Sequence, residues 1–397
     1  MKIAFFCDSY IPTKNGVATS AHTTAMELRA RGHRVMVFAP RFLDFDDNDP
    51  DVIRFVAGHW NKSDYPIAWP VLSRVAPRTA VRFRREKFDV VHVHSPFILG
   101  GLGAHWAVFN FVPLVWTFHT LYHHYAHYSI TSPQSSRFYI LWRVRTMLTK
   151  CDRVIAPSMA IERIIHKLRP KVHTAVLPTG VDLGKFCHGS RERARKELGF
   201  GPNDRVLLYV GRLAQEKNLS FLMRAIAPLL LRPPGDVPTR LLLVGGGPLG
   251  EAFRVMASRM GIADRVHLAG FAEGQRLSDL YAAGDIFTFA SRTETQGLAI
   301  AEALCTGLPC VVVNGMGAPE AVTHEYNGLI VPASELRFRE AVGRLLKDNQ
   351  LRATMAANAR SSADGFSVQR RAGELIELYE AVIEEARERN AAPFEMV

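Results

Sequence analysis

Short apolar runs recur along the whole chain, each followed by a polar turn and then a segment with helical spacing of apolar residues. Lys2–Cys7, Arg34–Ala39, Asp89–His94 and Pro113–Thr117 read as strands in the first half. Arg205–Gly211, Leu241–Val244, Val266–Phe271 and Asp285–Ala290 read so in the second. A strand followed by a helix before the next strand pairs in parallel, because the helix supplies the crossover. The pattern therefore predicts an α/β chain of parallel sheets and argues against sandwiches and helical bundles. At 397 residues the chain has room for two domains. We place the linker near 179–190, where the charge balance changes, and a long amphipathic helix over Val368–Arg389.

The loops that end these strands carry the chemistry. After Asp285–Ala290 comes a polar turn, Ser291 to Gly297, and then an alanine-rich helix from Leu298 to the stop at Gly307-Leu-Pro309. The first N–H groups of a helix lack partners within it, so such a turn is an anion site. Glu294 lies in the turn and Glu302 about a helical turn into the helix, where the two carboxylates can bracket one ligand; solvated glutamates on an ordinary turn are the plain alternative. Gly211, Arg212 and Lys217 follow one strand, Gly245-Gly246-Gly247 a second, and Phe271 ends a third. Cations beside glycine-rich strand ends are what a diphosphate requires. The first loop, Asp8–Gly16, ends on a glycine before a helix expected over Val17–Arg31, and His119 follows Pro113–Thr117. The first loop does not follow the dinucleotide G-x-G-x-x-G pattern, and no G-x-x-x-x-G-K-[ST] or G-x-S-x-G is present in the chain.

Charge is unevenly spread. Residues 1–180 hold 23 Lys and Arg against 12 Asp and Glu, which accounts for the whole net charge of +11. A one-sided basic face suits an anionic membrane surface or a nucleic acid. The segment Val71–Lys87, with Arg78, Arg82 and Arg85 beside an apolar stripe, is a candidate interfacial helix or else a plain surface helix. Ile98–Phe118 has no charged residue, but His105, Asn110 and Pro113 split it into a helix (99–110) and a strand (113–118), read as buried core and not a membrane span. Five cysteines without a C-x-x-C pair, and no signal segment, predict a reducing cytosolic setting. The run His119–Tyr128 includes Tyr122, His127 and Tyr128; lacking acidic neighbours and H-E-x-x-H, it is read as an acceptor-lining or core-covering segment and not a metal site.

Taken together, these motifs resemble glycosyltransferase family 4, the retaining GT-B enzymes, over essentially the full length. Glu294 and Glu302 around Gly297-Leu298, Gly211-Arg212 with Lys217, Gly245–Pro248, Thr179-Gly-Val-Asp182 and Asn15-Gly16 carry the resemblance. It implies two Rossmann-like domains facing across an interdomain cleft. Residues 1–180 would form the acceptor-binding, membrane-facing domain and 181–370 the sugar-nucleotide domain, with 371–397 crossing back onto the first. It further implies that Arg212 and Lys217 hold the diphosphate and that Gly16, Gly211, Gly246, Gly247, Phe271, Gln296, Gly297 and Leu298 shape the donor site. Glu294 would contact the donor sugar, Glu302 the ribose, and His119 the region of the anomeric carbon. No metal is obligatory and no protein nucleophile is nominated.

Within the family, Asp8–Val17, His119-Thr-Leu-Tyr122 and Thr293–Gly297 look most like bacterial diacylglycerol glucosyltransferases. The expected reaction is transfer of a hexose, glucose from UDP-glucose, to diacylglycerol or a similar lipid. The enzyme would sit peripherally on the inner face of the cell membrane and bind no nucleic acid. Transfer from GDP-mannose, a soluble or polyprenyl-linked acceptor, a GT-B-like sugar-nucleotide epimerase and a non-catalytic basic membrane-binding protein are the alternatives.

Overall fold

A computed structural model describes residues 1–42, 45, 47–60, 67–70, 72–122, 133–186 and 188–391. The chain divides into two compact units, Met1–Gly180 with Val368–Val397, and Val181–Ser367. The first unit is built on a parallel sheet of β1 (Lys2–Phe6), β2 (Arg34–Pro40), β3 (Val52–Phe55), β6 (Val90–Val93), β7 (Leu114–Thr117), β8 (Arg153–Ala156) and β9 (Thr174–Val176), in the order β3-β2-β1-β6-β7-β8-β9. A separate antiparallel hairpin pairs β4 (Ala57–Trp60) with β5 (Ile67–Pro70). The second unit's sheet, also parallel, has β10 (Arg205–Val210), β11 (Thr239–Val244), β12 (Val266–Gly270), β13 (Ile286–Phe289), β14 (Cys310–Val313) and β15 (Gly328–Val331), ordered β12-β11-β10-β13-β14-β15.

Both sheets reverse direction of growth beside their first strand. In the first unit β2 and β3 extend one way and β6 to β9 the other; in the second, β11 and β12 extend one way and β13 to β15 the other. Open α/β sheets bind ligands at such a switch point, outside the carboxyl ends of the strands, because the two flanking loops diverge there and leave a crevice. The strands β1, β6, β10 and β13 are therefore the ones whose ends matter. Their residues are almost entirely buried, as parallel sheets covered on both faces require.

The final helix, Val368–Ala391, belongs to the first unit. Its Ala372, Leu375, Tyr379, Val382 and Ile383 share one apolar core with Ile3, Phe5, Ala21, Ala25, Leu28 and Val37. Each large side chain buried in that seam contributes roughly 1.5–3 kcal/mol. The segment 98–118 departs from the sequence expectation in part. Helix Ile98–Phe109 buries Leu99, Ala104, Trp106 and Ala107. At its end Val108, Phe109 and Phe111 are 54%, 62% and 79% exposed, so this stretch is not wholly core. Among the described residues, no helix is long and apolar enough to cross a membrane.

Candidate functional site

In the second unit, the loops after β10, β11 and β13 are stitched together at the switch point. A Cβ on Gly245 would lie 2.0 Å from the Gly211 carbonyl oxygen, so only glycine permits the loops after β10 and β11 to touch. Leu213 N–H donates to the Gly246 carbonyl at 2.8 Å, beside Gly247. The Ser291 hydroxyl donates to the Glu216 carbonyl (3.1 Å) and the Asn218 side chain to the Ala290 carbonyl (3.2 Å), tying the β10 loop to the β13 loop.

This stitching sets two cations against two carboxylates. Lys217 Nζ lies 2.5 Å from Glu294 Oε1, each side chain 17% exposed. Arg212 Nη1 lies 3.9 Å from Glu216 Oε1. Buried Tyr209 donates to the Arg212 carbonyl (3.0 Å), and its phenol is pushed well above the ordinary range by burial, with Glu294 and Glu216 adding to the effect. Glu294 is further anchored through its carbonyl, which accepts from Gly317 N–H at 2.9 Å. Gly297 has φ +83°, a left-handed turn that starts helix Leu298–Cys305 without a side-chain cap, and its carbonyl accepts from Ile300 N–H at 2.9 Å. Gln296 is buried next to it and Phe271 is half-exposed after β12. Glu302 is separate from Glu294: its Oε2 accepts from Tyr281 Oη at 2.6 Å, and burial pushes its carboxyl pKa up, the Tyr281 bond and Lys185 opposing. The two glutamates thus pair with different side chains, Glu294 with Lys217 and Glu302 with Tyr281.

In the first unit, the switch-point strands present histidines. His92 in β6 meets Tyr379 Oη at 2.5 Å through Nδ1 and Thr117 Oγ1 at 2.7 Å through Nε2. His94 stacks on His92, centroids 4.3 Å apart, and on His119 at 5.3 Å. His94 Nδ1 and His119 Nε2 are 3.0 Å apart. Burial lowers all three imidazoles, His92 to about 3 and His119 to about 4, so the column is neutral near neutral pH. His94 Nε2 is buried without a hydrogen-bond partner among the described residues. A bare ring nitrogen tolerates that better than an N–H does. We therefore assign the proton to His94 Nδ1, donating to His119 Nε2, which leaves His119 protonated on Nδ1. A small cavity beside the column is lined by His94, His119, Ser20, Thr24, Thr179 and Arg371.

Gly16 is the first residue of helix Gly16–Ala30, capped by Asn15, whose Oδ1 accepts from Ala18 N–H at 2.9 Å. The partly buried Asp8 accepts from Leu99 N–H at 2.7 Å and from Ser95 Oγ, fixing the start of helix Ile98–Phe109. Tyr122 packs edge-on to Phe97 with centroids 5.1 Å apart, and burial raises its phenol. His127 and Tyr128 lie outside the described residues. Arg78, Arg82 and Arg85 are exposed on helix Leu72–Glu86, while Phe83 on the same helix is buried against Phe38 and Trp106. Sequence reasoning did not single out Glu216, Tyr281, His92, His94 or Tyr379. The spacing of His92 and His94, two apart on a strand and hence on one face, was the available signal.

The sequence pattern described as Glycosyltransferase Family 4 matches residues 14–185, and that described as Glycosyl transferases group 1 matches 190–362. The chain is 30% identical to an alpha-monoglucosyldiacylglycerol synthase of Streptococcus pneumoniae, over 78% of this chain and 70% of the relative. It is 29% identical to a GDP-mannose-dependent alpha-mannosyltransferase of Mycobacterium tuberculosis, over 96% of this chain and 97% of the relative. Among solved structures, sucrose-phosphate synthase from Thermosynechococcus elongatus matches in fold with a TM-score of 0.78 at 23% identity, covering 97% of this chain and all of that one. With two Rossmann-like parallel-sheet domains of the GT-B class and relatives of this kind, the chain belongs to glycosyltransferase family 4 and is a hexosyltransferase.

Proposed function

We propose that the enzyme transfers glucose from UDP-glucose, with retention, to diacylglycerol or a similar lipid at an anionic membrane surface. The observation that carries the donor half is the double pairing of Lys217 with Glu294 and Arg212 with Glu216 beside the Gly297 helix start. A diphosphate arriving there exchanges one anionic partner for another, so the cations need little reorganisation. Lys217 moves its charge from Glu294 to the leaving phosphate, and Glu294 is released to accept from the hydroxyls of the hexose. As the glycosidic bond breaks, negative charge grows on the phosphate oxygens, and Arg212 and Lys217 stabilise it where it develops. His119, neutral and protonated on Nδ1, serves the sugar as a hydrogen-bond donor and not as a general base. The acceptor hydroxyl oxygen bonds to the anomeric carbon from the face the leaving phosphate vacates, as the bond from that carbon to the phosphate oxygen breaks. The hydroxyl proton passes to the departing phosphate, and configuration is preserved without a protein nucleophile. Glu302, its carboxylate steadied by Tyr281, accepts from the ribose hydroxyls.

The lipid half is supported by the basic character of residues 1–180, by exposed Arg78, Arg82 and Arg85, and by the name of the Streptococcus pneumoniae relative. The Mycobacterium tuberculosis relative favours a second reading, mannosyl transfer from GDP-mannose. Incubation with a panel of radiolabelled sugar nucleotides and membrane lipids separates them. Label from UDP-glucose in the diacylglycerol fraction is the expected result; label passing only from GDP-mannose would replace the first reading with the second.

A further inference from the structure

The first unit has a second concave surface, at the end of its sheet opposite His94 and His119. A groove of about 360 Å³ lies where Lys87 precedes β6 and Phe111 precedes β7, with Arg84, Ile383 and Arg387 among its walls. Phe111 closes helix Ile98–Phe109: its N–H donates to the Val108 carbonyl at 3.3 Å and the Val112 N–H to the Ala107 carbonyl at 2.9 Å. That closure requires a left-handed residue, and Phe111 sits at φ +56°, where glycine or asparagine is the ordinary choice. Its ring is nevertheless 79% exposed. The backbone is strained by having a side chain there, and the fold gains no burial from it.

Lys87 repeats the arrangement at the end of helix Leu72–Glu86, with φ +53°. Among the described residues, non-glycine positive φ occurs at Lys87, Phe111, Asn218, Asp236 and Glu325, and the first two meet in this groove. Strained residues collect where binding needs them. The charges agree. Neither Arg84 nor Lys87 has a carboxylate within ion-pair distance among the described residues, and Arg84 lies over the Phe109 ring at 5.3 Å. The groove's own acid, Asp89, is engaged by the Lys2 N–H at 2.6 Å. Among the described residues, Arg387 has only the exposed Glu384 as an ion-pair partner, at 3.4 Å. Three cations therefore rim an apolar floor that carries a solvent-facing aromatic ring.

We propose that this groove takes one anionic phospholipid, its phosphate among Arg84, Lys87 and Arg387 and its first methylenes against Phe111 and Ile383. The assignment rests on reading the first unit as membrane-facing, and goes beyond it by naming a discrete lipid site at the end of that unit's sheet away from His94 and His119. A simple phosphate has no use for the apolar floor, whereas a lipid uses both halves of the groove.

The test is titration of the full-length protein with monomeric dihexanoylphosphatidylglycerol, followed calorimetrically. Saturable one-to-one binding is expected, at least tenfold weaker in the Arg84→Ala/Lys87→Ala double variant and in Phe111→Gly. Glycine suits the left-handed backbone, so Phe111→Gly should unfold at the same or a higher temperature, and its binding loss is not a folding defect. Undiminished binding in both variants overturns the proposal. So does equal affinity for glycerol 3-phosphate, which marks a plain anion site, or a dimer that Phe111→Gly dissociates, which gives the groove to a second copy. Vesicle sedimentation by a variant reversed at Arg78, Arg82 and Arg85 reads general membrane docking separately, so either reading can fail alone.

Discussion

Lys217 Nζ and Glu294 Oε1 are 2.5 Å apart although 77 positions separate them in the chain, one following β10 and the other β13. On the function proposed above, the pair holds the two charges a sugar nucleotide would use in a form that is neutral until it arrives. Lys217→Ala should lower turnover about 10²–10³-fold, the scale of losing one preorganised group that stabilises transition-state charge. Arg212→Ala should do likewise. Steady-state kinetics alongside circular dichroism checks this; near-normal turnover in both variants removes the diphosphate role.

Tyr281 donates to Glu302, whose carboxyl is raised above its ordinary value by burial. A raised carboxylate costs stability as pH climbs through its folded pKa, since the unfolded chain has already released that proton. Tyr281→Phe removes a hydrogen bond to the charged form. It should destabilise by about 1–3 kcal/mol at neutral pH and by less in mild acid. Urea unfolding at two pH values tests the sign, and a loss that grows toward acid contradicts it.

The histidine column titrates in the other direction. His119 is lowered to about 4 and His92 to about 3, from an ordinary value of 6.5. Stability held by these neutral rings is complete above pH 6.5 and drains away as pH falls toward 4, because the unfolded chain takes up protons first. His92→Gln should flatten this acid slope. Chemical denaturation at neutral pH and near pH 5 compares the two proteins, and parallel slopes refute the assignment.

Exposed Arg78, Arg82 and Arg85 should draw the protein to anionic vesicles with about 1 kcal/mol each. Reversing all three to Glu should weaken sedimentation at least tenfold, and rising salt should weaken the unsubstituted protein in step. Binding indifferent to salt argues against electrostatic docking.

A Cβ at Gly245 meets the Gly211 carbonyl at 2.0 Å. Gly245→Ala should therefore push apart the loops that hold Arg212 and Lys217, raising the donor KM and lowering the melting temperature together. A variant with unchanged donor KM shows that the loop contact has no bearing on donor binding.

Much of this was legible before any coordinates. Alternating strands and helices called for parallel sheets, and the polar clusters singled out in the sequence follow β10 and β13, the two strands at the switch point. The partners were not legible. Which carboxylate Lys217 meets depends on β10 and β13 being neighbours, a fact of strand order and not of local pattern. The bond between His92 and Tyr379 spans 287 positions and depends on the last helix returning to the first unit. The hairpin of β4 and β5 lacks the apolar alternation that announces a strand, and was missed for that reason. The exposed end of Ile98–Phe109 was misread because an uncharged stretch looks buried whichever way its final side chains turn.

The last helix also sets an order of events during synthesis. Val181–Ser367 is one continuous stretch, complete as soon as it leaves the ribosome, whereas the first unit lacks Leu375, Tyr379 and Val382 until the whole second unit has been made. At roughly 5–20 residues per second, its unfilled seam faces solvent for some ten seconds or more after its own sheet has emerged. A nascent chain cut short before Val368 would carry a sound second unit and an open first one. Protein quality control would thus meet the enzyme's incompleteness at the amino-terminal half, although the missing residues belong to the carboxyl end.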